Sequence, residues 1–201
     1  MIGGSISGSS ALSGSGGASA SSSALSAEEK ADLVKQAGSD WIDGLSQDEK
    51  TAVFQYTGMA YDNINGTLRG LGPGFVGNNQ KFAQNLHNSL DRSSIPTDCT
   101  VYRGISSDAL GELEALSDDQ MVGKVYADKG FLSTSLDKKQ AFDKDVLLVI
   151  DVPKGAKGAC VEEISAVNTE REVLFDCGRT MVVLDCSRDE KGKRIVHVQM
   201  M

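Results

Sequence analysis

Apolar residues recur at helical spacing in the first half of the chain and alternate with polar ones in the second. Two stretches open on the same signal, Ser26-Ala27-Glu28-Glu29 and Ser46-Gln47-Asp48-Glu49, with Ser followed three residues later by Glu. This is the capping-box pattern, in which the two side chains satisfy backbone N–H groups that a first helical turn leaves without partners. The first box predicts a helix to about residue 37 and the second a helix to about residue 56. A further helix is expected over 59–68, and Phe82, Leu86 and Leu90 line one face of another over 79–90. A short helix is expected over 107–116. The glycine-rich segment 70–74 follows no strand, so it is not read as a dinucleotide-binding turn.

From residue 100 onward the period shortens to two. Strands are expected over 100–105, 124–126, 131–136, 146–152, 158–164 and 173–176. A final pair, 180–186 and 194–200, flanks the hairpin turn signal Asp189-Glu190-Lys191-Gly192-Lys193. Helices first and short strands afterwards define an α+β chain.

Composition sets apart the first 26 residues, which are rich in Ser, Gly and Ala. They lack a basic start and an apolar core, so they do not read as a secretory signal peptide. Such a segment buries too little apolar area to offset its ordering entropy, and a flexible tail over 1–26 is expected ahead of one domain over 27–201. A secretion segment of an injected effector and a plain linker both fit this composition. The net charge of −8 argues against nucleic acid or an anionic membrane as the main partner. No apolar run approaches the roughly 20 residues of a membrane span. Cys99, Cys160, Cys177 and Cys186 are widely spaced, and His87 and His197 each stand alone, so no metal is expected and the cysteines read as reduced.

Candidate chemistry sits in three short segments. Asn168-Thr169-Glu170-Arg171-Glu172-Val173-Leu174-Phe175 carries two carboxylates at i and i+2 before an apolar strand. On an extended chain such side chains share a side, about 6.5–7 Å apart. An isolated Glu-x-Glu is most often a solvated strand edge. Here it follows Thr100-Val101-Tyr102-Arg103-Gly104 and Gly130-Phe131-Leu132-Ser133-Thr134-Ser135. Arg, then Ser-Thr-Ser, then Glu-x-Glu, in that order, resembles the mono-ADP-ribosyltransferases of the arginine–serine–glutamate class, which include many bacterial toxins and effectors. Upstream, Tyr56-Thr57-Gly58-Met59-Ala60-Tyr61-Asp62-Asn63-Ile64-Asn65 and Leu68-Arg69-Gly70 look like the helices that open the catalytic domain of the toxin branch. The resemblance spans about residues 45–185.

The resemblance implies two small, roughly perpendicular, mainly antiparallel sheets around an NAD+ cleft, with helices alongside. It implies NAD+ as co-substrate, a host protein as acceptor, a monomer, and delivery by a bacterium into the host cytosol. Glu172 corresponds to the catalytic glutamate that bonds the nicotinamide-ribose 2′-OH and stabilises the developing sugar cation. Ser133, in Ser133-Thr134-Ser135, would fix its rotamer. Arg103 would hold the pyrophosphate through its planar fork, and Gly104 would offer its backbone to the nicotinamide amide. Glu170 matches the position at which arginine-modifying members carry Glu, where a carboxylate orients a guanidinium and draws off a proton. Tyr56, Tyr61 and Asn65 would close over the phosphates and ribose, and Phe142 would stack on nicotinamide. The loop before Glu170 lacks the aromatic that many arginine-specific relatives carry. An NAD glycohydrolase and a catalytically inactive binding relative are the alternatives. Poly-ADP-ribose synthesis is disfavoured, because that branch has His where Arg103 stands.

Overall fold

The computed structural model describes residues 24–167 and 171–201. Both capping boxes form. In α1 (Ala27–Asp43) Ser26 Oγ accepts from Glu29 N and Glu29 Oε2 accepts from Ser26 N at 2.8 Å; in α2 (Gln47–Gln55) Ser46 and Glu49 repeat the exchange. The helix α1 runs six residues past the expected end at 37, because Trp41 and Ile42 continue the inward face begun by Val34. Gly38 on that face lets the helix lie directly on a strand: a Cβ there would stand 2.5 Å from the Cys160 carbonyl oxygen. No break separates the next two expected helices. A π-helical turn (Tyr56–Ala60) leads from α2 into α3 (Tyr61–Leu68), and α4 (Asn79–Asp91) follows.

The second half supplies β1 (Cys99–Ile105), a short 3-10 segment (Ser107–Ala115), α5 (Asp118–Met121), β2 (Val125–Asp128) and β3 (Leu132–Ser135). After them come β4 (Val146–Val152), β5 (Gly158–Cys160), β6 (Glu172–Phe175), β7 (Arg179–Arg188) and β8 (Arg194–Met200). The eight strands follow one hydrogen-bonded order, β2-β7-β8-β4-β1-β3-β6-β5, in which the β4–β8 pairing is parallel and the rest are antiparallel. Continuity through the middle is thin. β1 matches β4 over its whole length but meets β3 at the single pair Tyr102↔Ser135. The sheet therefore divides into a five-strand half and a three-strand half that part company beyond this pair.

Two cores form, and the first spans both halves, taking Leu132, Cys160, Val173 and Phe175 from the three-strand half. Val101, Leu148, Ile150, Met181 and Val198 are buried in one; Val53, Tyr56, Ile64, Leu86, Phe131 and Leu174 form the other, between the helices and the three-strand half. Strand β6 is covered on both faces, with Val173 and Phe175 in the first core and Leu174 in the second. By strand alternation Glu172 shares the face of Leu174, toward the helices. The expected strand over 158–164 stops at Cys160, because Ile164 N and Ser165 N both bond the Val161 carbonyl and turn the chain. Among the described residues no helix is long and apolar enough to cross a membrane.

Candidate active site

The site lies where β1 and β3 diverge. Ser133 and Glu172 are diagonal neighbours on the β3–β6 ladder, whose register pairs Ser133↔Leu174 and Ser135↔Glu172. Diagonal neighbours are within reach when one side chain is long. Ser133 Oγ donates to Glu172 Oε1 at 2.6 Å, and Ser165 Oγ donates to Oε2 at 3.2 Å from the turn ahead of β6. Glu172 is only 5% exposed, so these hydroxyls hold a buried carboxylate in a set rotamer. Thr134 Oγ1 donates instead to the Val173 carbonyl, and Ser135 Oγ accepts from Asp137 N.

Arg103 crosses the gap between the strands. Its Nη1 donates to the Ser133 carbonyl at 2.5 Å, so one serine ties both the arginine and the glutamate. Its buried Nε–H has no acceptor among the described residues. Beside it, Asp128 is 6% exposed and accepts from Arg69 Nε and Nη2 at 2.9 and 2.8 Å, and from Gly130 N at 2.9 Å. Arg103 Nη2 stands 4.0 Å from the same carboxylate. Two guanidinium groups thus share one buried anion, which lowers their mutual repulsion and leaves the group with a net positive charge. Arg69 and Asp128 are site residues that sequence reasoning did not assign. Arg69 lies in the Leu68-Arg69-Gly70 segment of the resemblance, and no spacing rule links it to Asp128.

Tyr56 and Asn65 sit underneath this group. Tyr56 is 1% exposed and packs edge-on against Phe131, with ring centroids 5.4 Å apart. Asn65 Oδ1 accepts from Phe131 N at 2.9 Å, while Nδ2 donates to Tyr56 Oη at 2.8 Å and to the Phe131 carbonyl at 3.2 Å. The amide imitates a neighbouring strand and fixes the entry to β3, two residues before Ser133. Burial pushes the Tyr56 hydroxyl well above its ordinary range, so it stays protonated. Replacing Asn65 by Ala strands several buried polar groups at about 1–3 kcal/mol each. A loss of about 2–4 kcal/mol in denaturant unfolding is expected; an unchanged midpoint would show that these bonds do not hold β3.

Tyr61 opens α3 about half exposed, and the Phe142 side chain is largely exposed in the segment between β3 and β4. The Phe142 main chain packs onto Gly104 so closely that a Cβ there would overlap its carbonyl oxygen at 1.8 Å. Gly104 is therefore required for this close approach. Glu170 lies outside the described residues. Arg171, between the two acidic positions, has φ 45°, in the left-handed region that non-glycine residues seldom adopt. The chain is not extended at Arg171, and the same-side placement expected for Glu170 and Glu172 lies outside the described residues.

Away from the cleft, His87 is not alone. Packing of α4 against the turn after β6 brings its Nδ1 within 2.9 and 3.0 Å of the Asp176 oxygens, and Cys177 Sγ completes a cluster within 4.8 Å. Arg179 also approaches Asp176, at 3.8 Å, and burial with the neighbouring carboxylate pushes the Cys177 thiol up to about 11. This group reads as a hydrogen-bonded contact tying α4 to the turn after β6. All four cysteines are free thiols.

A buried glutamate held by hydroxyls thus stands beside two arginines that share one buried carboxylate, at the meeting of two half-sheets. The ADP-ribosyltransferase exoenzyme family model matches residues 32–200, and the chain belongs to that family. It is similar to the Photox toxin of Photorhabdus laumondii, with 29% identity over 75% of this chain and 42% of the toxin. It is 28% identical to the mono-ADP-ribosyltransferase C3 of Clostridium botulinum D phage, over 76% of this chain and 68% of that protein. It is 30% identical to the NAD(+)–arginine ADP-ribosyltransferase EFV of Enterococcus faecalis, over 68% of this chain and 28% of that protein. The chain thus spans under half of Photox toxin and of EFV. Among solved structures, the ADP-ribosyltransferase toxin Plx2a of Paenibacillus larvae shares the fold with TM-score 0.75 at 22% identity, over 87% of this chain and 96% of that one. The S. aureus C3stau2 structure with NAD gives TM-score 0.72 at 22% identity, over 84% of this chain and 94% of that one.

Proposed function

We propose that this protein is an NAD+-dependent mono-ADP-ribosyltransferase, delivered by a bacterium into a host cell, that modifies arginine on a host protein and releases nicotinamide. The observation that carries the reading is Ser133, whose hydroxyl holds Glu172 and whose carbonyl holds Arg103, at 2.6 and 2.5 Å. Arg103, with an Nε–H that has no acceptor among the described residues, and Arg69 offer planar donor forks suited to a pyrophosphate. Glu172 sits where a carboxylate can stabilise positive charge on a ribose, and its two serine partners hold it there without reorganisation. Asn65 and Tyr56 serve the cleft from below by fixing β3, while exposed Tyr61 and Phe142 are free to meet the nucleotide.

In the reaction the C1′–N bond breaks and its electron pair leaves with neutral nicotinamide. An arginine nitrogen forms the new bond to C1′ and gives up a proton, for which Glu170 is the assigned acceptor. The acidic identity of residue 170 and the similarity to an arginine ADP-ribosyltransferase support arginine as the modified residue. A host target protein, a monomeric state and action in the host cytosol belong to the same proposal, and the similarity to a toxin supports its toxin character.

Glu170→Gln tests the division of labour. Transfer to agmatine, a free guanidinium, is expected to fall at least about a hundredfold, while nicotinamide release without acceptor stays within about fivefold of wild type. Equal loss of both activities would assign Glu170 to bond cleavage instead. Undiminished transfer would remove it from acceptor activation.

A further inference from the structure

The turn ahead of β6 has two anchors that face different ways. One is the main chain: Ile164 N and Ser165 N bond the Val161 carbonyl at 3.0 and 2.8 Å, and Val161 N bonds the Glu172 carbonyl at 3.0 Å. This set positions Ser165 Oγ against Glu172 through main-chain bonds within the turn and to β6, and Ser165 Oγ also accepts from Val167 N at 3.2 Å. The second anchor begins one residue later. Ala166 N donates to Thr57 Oγ1 at 2.9 Å, and Thr57 Oγ1 donates to the Val53 carbonyl at 3.0 Å. The hydroxyl is used in both directions, as donor to the helix and acceptor from the turn, which only Thr or Ser can do at this place.

Thr57 lies in the π-helical turn Tyr56–Ala60, a rare conformation that occurs frequently at functional sites. Gly58 next to it brings the helix backbone against the turn, since a Cβ there would stand 3.3 Å from the Ala166 Cβ. The residues flanking this contact, Met59 and Val167, are exposed at 88% and 45%. Along the chain, 166–167 lead toward Glu170 and away from the turn that holds Glu172.

We propose that Thr57 is a positioning residue for the acceptor: it clamps 166–167 to the π-helical turn and so sets where the incoming arginine meets the ribose, without acting on NAD+ cleavage. The inference rests on the transferase reading above: main-chain bonds of its own hold Ser165, which serves bond cleavage, while Ala166 is held by Thr57 and serves transfer. A misplacement of about 1 Å in a positioning group lowers a rate by up to about a hundredfold.

The test compares wild type, Thr57→Val, Thr57→Ser and Ser165→Ala in two assays: nicotinamide release from NAD+ alone, and label transfer from NAD+ to agmatine and to poly-L-arginine. Thr57→Val is expected to lose about tenfold or more in transfer with release within about twofold of wild type, and Thr57→Ser to restore transfer. Ser165→Ala, which loosens Glu172, is expected to lower both activities together. Amide hydrogen exchange at 166–167 should quicken in Thr57→Val while 172–175 stay protected. Equal loss in both assays, or transfer at the wild-type rate, would overturn the role of Thr57 while leaving the transferase reading in place. A wild-type protein that cleaves NAD+ and modifies neither acceptor would overturn the arginine reading, and this inference with it.

Discussion

Glu172→Gln is expected to abolish both nicotinamide release and transfer, each by at least about a thousandfold, with the fold retained. The amide has nearly the shape of the carboxylate, and its oxygen can still accept the Ser133 hydroxyl that now donates to Oε1 at 2.6 Å. What it lacks is negative charge at a buried position, where charge interacts more strongly than in water. Both activities pass through the same cleavage step, so both should fall together. Circular dichroism and a thermal melt close to wild type would show that the loss is chemical. Activity within about tenfold of wild type would remove Glu172 from the reaction.

Arg103→Ala is expected to weaken NAD+ binding about ten- to a hundredfold, corresponding to one charge-assisted interaction of about 1.5–3 kcal/mol. Stability should fall much less. The bond lost is Nη1 to the Ser133 carbonyl, while the Tyr102↔Ser135 pair and the β3–β6 ladder still hold Ser133. Calorimetric titration of NAD+ into both proteins measures the first effect and urea unfolding the second. Unchanged affinity would mean that Arg103 only bridges the two strands.

The elements that local chemistry dictates were legible in the sequence. Capping boxes at Ser26 and Ser46 set two helix starts, and Phe82, Leu86 and Leu90 set the inward face of α4. The order Arg103, Ser133, Glu172 placed three residues that the fold brings together within hydrogen-bonding reach. Features that depend on distant packing were not legible. Nothing near Asp128 announces that it will bind Arg69, 59 residues away. Nothing near His87 announces Asp176, 89 residues away. Nothing in the Glu-x-Glu spacing announces that Arg171 adopts a left-handed backbone, a region that favours glycine. Tyr56 and Asn65 were expected on the nucleotide, yet they satisfy each other and Phe131 in the core, a pairing that a period-based reading cannot distinguish from an open face.

The central claim is that this cleft moves ADP-ribose from NAD+ to arginine. The most direct measurement incubates the purified protein with NAD+ carrying a label in the adenylate half, in the presence of host-cell lysate, and maps the labelled residue by mass spectrometry. Label joined to arginine, with nicotinamide released in at least equal amount and neither product formed by Glu172→Gln, is the predicted result. Label recovered solely as free ADP-ribose, or nicotinamide release that Glu172→Gln does not reduce, would contradict it.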